Sequence, residues 1–229
     1  MEKQLALIGN KNRLSVIYKI FLSIIVLMAV IDRAGIFNAD KQLQTLYSFT
    51  TISNCYIISA ALISAFKIAT SGQIGAALSR FRHLGVMMIL ITGLVYHLIL
   101  LPQKILENPN YQIFTYGNIV AHYIAPMLTF FDWLLFDKKG GISKWEPLIC
   151  TSIPLVYFLL ASLYGYFGSA IPGKETSYVY FFMDWGELGF SGVLKWALTI
   201  LGCILLLTYL VYFVDHWLAK AQRHSYDRN

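Results

Sequence analysis

The chain has 229 residues, enough for one ordinary domain, but 57% of them are apolar, only 13% are charged and the mean hydropathy is +0.59. A water-soluble fold of that size needs far more charge to cover its surface. The net charge of +6 comes from basic residues scattered singly between apolar runs, without the stripe that a nucleic-acid partner requires.

A bilayer core about 30 Å thick calls for about 20 mostly apolar residues in helical form, because nothing else there satisfies backbone polar groups. Six windows meet that demand. They predict an all-α membrane protein: one six-helix domain over residues 1–229, with spans at about 15–37, 43–68, 84–101, 113–136, 147–167 and 192–217. The first span follows a basic leader with Lys3, Lys11 and Arg13. It is longer than a signal-peptide core and has no small-residue cleavage site before Asp32, so it is expected to stay attached. Cys55, Cys150 and Cys203 lie far apart in apolar runs without C-x-x-C spacing, so neither a disulfide framework nor a metal site is expected, and no cofactor is implied.

Orientation follows from lysine and arginine, which are enriched in cytoplasmic loops. Lys3, Lys11 and Arg13, then Lys67, Arg80 and Arg82, then Lys138, Lys139 and Lys144, and finally Lys220, Arg223 and Arg228 fall on one side. Only Arg33, Lys41, Lys104 and Lys174 fall on the other, while Lys19 and Lys195 lie near helix ends from which they can snorkel. Both termini are therefore expected in the cytoplasm. The longest outer loop, residues 169–191, carries Tyr178, Tyr180, Phe181, Phe182 and Trp185, a composition suited to the membrane interface.

Polar residues inside the spans are costly unless they face the bundle interior. The second span holds Thr50, Thr51, Ser53 and Asn54, with both threonines one helical turn from the amide. The third adds His97. In the fourth, Thr115, Asn118 and His122 recur at helical spacing, and Pro126 follows where it can kink the helix. At 1.5 Å rise per residue the two threonines lie about 10 Å, His122 about 14 Å and His97 roughly 6 Å below the outer ends of their spans. Hydroxyls that bond the carbonyl four residues back, and amides that join helices, are the ordinary use of such groups. Convergence at one depth points instead to a shared cavity. Asp132 reads as an anchor or a helix-end ion pair near Lys138 and Lys139, and Asp184 and Glu187 near Lys195 as edge charges; His83, His216 and His224 carry no specific signal.

Gly189-Phe190-Ser191-Gly192 matches the G-x-S-G of rhomboid proteases, but only one span follows Ser191, and His216 on that span is about 37 Å farther along it, which argues against that chemistry. A broader resemblance runs through Phe49-Thr50-Thr51-Ile52-Ser53-Asn54, Gly93-Leu94-Val95-Tyr96-His97, Asn118 with His122 to Pro126, Asp132 to Phe136, and Tyr180-Phe181-Phe182-Met183-Asp184. In order and spacing these resemble the androgen-induced-gene-like (FAR-17a-type) family and its bacterial six-transmembrane branch, from the second span to the sixth. Animal members of that family are threonine hydrolases of fatty-acid esters of hydroxy fatty acids. The resemblance implies a lipid ester hydrolase in a bacterial plasma membrane with His122 as base and Thr51 or Thr50 as nucleophile. Asn54, Ser53, His97, Asn118 and Asp184 are the supporting residues it implies, membrane lipids the surroundings, and a lipid-like molecule the substrate. Asn54 stands where animal relatives carry an acidic residue. A non-enzymatic lipid-binding module and a small transporter are the rival readings.

Overall fold

The computed structural model describes residues 2–35, 46–168 and 176–226. Every regular element among them is helical, and six helices are long and apolar enough to cross a membrane. We number the helices α1 (Glu2–Arg33), α2 (Phe49–Ser71), α3 (Ala76–Glu107), α4 (Tyr116–Phe136), α5 (Glu146–Phe167) and α6 (Trp185–Tyr226). Six antiparallel passes put both termini at one end of the bundle, called here the terminal end; the other is the distal end. The expected limits at Phe37 and Leu43, with Lys41, Lys174 and Arg228, lie outside the described residues.

Helix α3 is the central post and packs against α2, α4, α5 and α6. Its run Val86, Met87, Met88, Ile89 is buried on every side, as a helix surrounded by other helices must be. The outermost face of α1 instead exposes Leu14, Ile17, Phe21, Ile24 and Met28, where lipid would lie. Lipid tails are as apolar as these side chains, so burial alone gives helices little reason to associate, and close packing with interhelical polar contacts must supply it.

Helices α1, α3 and α6 are longer than hydropathy predicted, and α2 is displaced toward the C-terminus, starting at Phe49. α2 runs on to Ser71 and α3 starts at Ala76, so Lys67, Arg80 and Arg82 belong to helices and not to a loop. α6 begins at Trp185, where Asp184 caps it by accepting from the amides of Gly186 (2.9 Å) and Glu187 (3.0 Å). Its first turn is set off at Gly189, whose φ of 62° suits glycine and few other residues.

Lys19 does not snorkel. It is 1% exposed and meets Asp132 Oδ1 at 2.7 Å, while Arg82 bonds the other Asp132 oxygen at 2.8 Å and Asp137 at 2.6 Å. Next to this group His83, also buried, lies 3.0 Å from Glu146. Asp132 is thus the helix-end ion pair expected, with other partners: α1, α3 and α4 are tied together at the terminal end.

Two π turns interrupt the helices, Tyr96–Leu100 in α3 and Val120–Ile124 in α4. Each precedes a proline, Pro102 and Pro126, whose missing N–H leaves a carbonyl unserved four residues back. In α4 that carbonyl belongs to His122. Gly93 lies against it so closely that a Cβ there would sit 2.9 Å from the oxygen, so α3 approaches α4 only because residue 93 has no side chain.

Candidate functional site

Most intramembrane hydroxyls in this bundle bond the carbonyl one turn back on their own helix. Ser64 does so to Ala60 (2.6 Å), Thr92 to Met88 (3.0 Å) and Thr151 to Pro147 (2.7 Å). Thr50 differs because it is the second residue of α2. Its Oγ1 lies 3.3 Å from His122 Nε2 on α4, and both residues are at least 95% buried.

The histidine's tautomer follows from its other nitrogen. Nδ1 lies 2.9 Å from the Asn118 carbonyl oxygen, which only accepts, so Nδ1 carries the proton. Nε2 of the neutral ring therefore presents a lone pair, and the Thr50 hydroxyl donates to it. Tyr96 stacks on the same ring, centroids 3.7 Å apart and planes 16° from parallel. Its face would favour a positive imidazolium, as aromatic faces favour other cations. Asn118 is held in turn by its amide nitrogen, 2.6 Å from the Tyr96 hydroxyl and 2.7 Å from the Ile113 carbonyl.

The remaining candidates sort by contact. Asn54 donates to the Thr50 carbonyl at 2.7 Å and to the Ala121 carbonyl at 3.3 Å, bracing α2 against α4 directly behind the pair. Ser53 reaches the Thr50 carbonyl at 3.0 Å and Thr92 on α3 at 2.7 Å. Thr51 points elsewhere: its Oγ1 lies 3.2 Å from Ser48 Oγ, in the cap of α2. Thr115 is the N-cap of α4. His97 is exposed, 3.0 Å from the Tyr123 hydroxyl, and Asp184 is engaged in capping α6 and accepting from Thr176 at 2.9 Å. The structure therefore gathers Thr50, His122, Asn54, Ser53 and Asn118, and leaves Thr51, His97 and Asp184 outside.

Beside Thr50, with no α4 residue in its lining, is a narrow, partly open apolar cavity that leaves about 70 Å³ for water-sized molecules. Ile91 and Val95 of α3, Pro154 and Phe158 of α5, and Ile200 and Ile204 of α6 form its walls, with Phe182 and Met183 at the distal end. Thr50, Thr92, Tyr157 and Tyr180 are its polar lining. Sequence reasoning gave the aromatics of the last loop, Tyr180 among them, to the membrane interface, and assigned no role in the site to Tyr180 or the ring of Tyr96. Tyr96 had a signal, a tyrosine beside a histidine within a span that carries a proline six residues on.

The arrangement offers a hydroxyl with a lone-pair base on one side and a small apolar cavity on the other. No protein-family model, no curated protein and no solved structure matches this chain.

Proposed function

We propose that the chain is an intramembrane hydrolase of lipid esters, fatty-acid esters of hydroxy fatty acids or molecules like them, with Thr50 as nucleophile and His122 as general base. One observation carries this reading: the Thr50 hydroxyl is at once 3.3 Å from His122 Nε2 and part of the wall of an apolar cavity. A threonine hydroxyl is a weak nucleophile until a positioned base takes its proton, and an imidazole with a free lone pair within hydrogen-bond reach is such a base. The small apolar cavity would take the part of an acyl chain nearest the ester and so set the carbonyl beside Thr50. The excess of lysine and arginine at the terminal end supports a cytoplasmic location for both termini and hence a site in the outer half of the membrane. An ester then enters sideways from lipid, and water arrives from the outer face.

The test is turnover of a long-chain branched ester by the full chain in detergent or vesicles. Wild type is expected to release fatty acid, Thr50→Ala and His122→Ala to lose the activity, and Thr51→Ala to keep most of it. Equal turnover in all four proteins would overturn the assignment. The almost wholly apolar lining favours one second reading, a lipid-binding module without bond breaking. Tight retention of an intact ester, with no product even from wild type, is the result that reading expects.

A further inference from the structure

We infer that Tyr180, on the distal loop before α6, donates the hydrogen bond that stabilises the oxyanion formed when Thr50 attacks an ester carbonyl. This inference rests on the hydrolase reading above and adds to it a residue that touches the reacting atoms.

Counting protons around Thr50 leads to it. The Tyr180 hydroxyl accepts from the Phe49 amide and interacts with the neighbouring Thr50 and Tyr157 side chains. The Phe49 N–H, one of the first-turn amides that no carbonyl of α2 can serve, donates to the Tyr180 oxygen at 3.1 Å. The Thr50 hydroxyl donates to His122, and the Tyr157 hydroxyl donates to the Tyr47 carbonyl at 2.9 Å. The proton left over is that of Tyr180, whose neighbours are the hydroxyls of Thr50 and Tyr157. Tyr180 lines the cavity beside Thr50, so a carbonyl brought to the threonine meets this O–H as well. Burial pushes the phenol above its usual value, which keeps it protonated at neutral pH. The loop is held for the purpose. Tyr180 stacks on Phe182 with centroids 5.1 Å apart, Phe181 meets Trp196 of α6 at 5.3 Å, and Asp184 fixes the start of α6.

The steps balance. As the Thr50 oxygen bonds the ester carbon, its proton passes to His122 Nε2. The carbonyl π pair moves to oxygen, where the Tyr180 O–H meets it while keeping its own proton. Collapse restores the carbonyl and expels the alcohol, which takes the proton from His122. Water then attacks the acyl-threonine with His122 again as base, the same oxyanion forms against Tyr180, and collapse releases the fatty acid as the Thr50 oxygen recovers its proton. An oxyanion donor acts on charge that develops only in the transition state, so its loss lowers kcat and leaves ground-state binding alone.

The experiment uses the full chain in vesicles with a long-chain ester, a long-chain trifluoromethyl ketone that forms an anionic adduct with an active-site hydroxyl, and the matching alcohol, which cannot. For Tyr180→Phe we expect kcat to fall about 100-fold with KM within threefold, ketone affinity to fall by a similar factor and alcohol affinity to stay unchanged. Turnover and ketone affinity both within threefold of wild type, in a protein whose activity Thr50→Ala abolishes, would overturn the role of Tyr180 and leave the hydrolase reading intact. Equal losses of ketone and alcohol affinity would overturn it too, making Tyr180 a wall of the cavity only. A wild type that neither cleaves the ester nor prefers ketone over alcohol removes the hydrolase reading and this inference together. A second variant retains ring and hydroxyl: 3,5-difluorotyrosine at position 180 makes the phenol more acidic. It should move the alkaline fall of kcat to lower pH, and an unmoved profile counts against the inference.

Discussion

At the terminal end of the bundle Lys19 and Arg82 meet the carboxylates of Asp132 and Asp137 at 2.6 to 2.8 Å, with both oxygens of Asp132 engaged. At the distal end Thr50, His122, Asn118 and Tyr180 are neutral, and their donors and acceptors form a directed chain that opens on an apolar cavity. Both clusters join several helices, and both are expensive to bury. The charged one closes on itself, which is what a tether between α1, α3 and α4 needs. The neutral one leaves a base lone pair against a hydroxyl and a phenol proton beside it, so it resists a change of partners far less. Saturated pairing is a structural use of polarity in lipid; pairing that can be redirected is a chemical one.

If that contrast holds, substitutions at the two ends should separate activity from stability. The largest effect expected is on turnover in His122→Ala, a loss of roughly a thousandfold. Its melting temperature in detergent should fall less than when a buried charge is stranded, since what is lost is a neutral ring, its packing and its two hydrogen bonds. Unfolding of this variant in place of simple inactivity would place the distal cluster among the tethers. Next comes Lys19→Met, which strips one partner from a buried carboxylate. Breaking such a pair costs about 3–5 kcal/mol, so the melting temperature should drop sharply while kcat below the melt changes little. Adding Asp132→Asn should recover much of the loss, because Arg82 then keeps Asp137 as its partner.

A smaller effect tests the link between the clusters and the helix geometry. In Gly93→Ala the new methyl would stand 2.9 Å from the His122 carbonyl oxygen, a backbone atom that cannot swing aside. α3 and α4 must part, at a cost of about 1–3 kcal/mol, and the movement carries His122 away from Thr50. Turnover and stability should both decline in this variant, unlike the two before it. A fall in stability with unchanged kcat would mean that the position of His122 does not depend on the approach of α3.

Length and hydropathy sufficed for the six spans, because each must cross about 30 Å without water. They did not give the depth of Thr50: a span begun at Leu43 puts it about 10 Å along its helix, whereas α2 begins at Phe49 and Thr50 is its second residue. The ends of α3 were not legible. Arg80 and Arg82 look like loop residues until Asp132 and Asp137, some 50 positions away, are known to receive Arg82 inside the bundle. The same ignorance of partners made Lys19 look like a residue bound for the interface. Thr50 and Thr51 were inseparable because either shares a helix face with Asn54; only the position of α4 distinguishes them. His97 went to the surface for a related reason. Its depth alone had grouped it with the site, and depth does not say which face of α3 a residue takes.

The smallest effect concerns Lys139, in the turn between α4 and α5 and so outside the spans, beside the charged cluster. Desolvation lowers its amine from 10.5 to about 8, against the opposing pull of Asp137 and Asp215. Because the folded value lies below the unfolded one, the unfolded chain binds more protons between those two values, and stability should rise as pH climbs from about 8 to 10.5. Below that window both states are charged and the penalty is at its full size. Lys139→Met should therefore flatten the slope, even though it gives up the bond to the Trp133 carbonyl and the contact of the ammonium with the Trp133 ring at 4.1 Å. Melting curves of the two proteins across the window measure the difference. An equal slope in both would assign the pH dependence to another group and leave Lys139 as one more saturated contact of the terminal end.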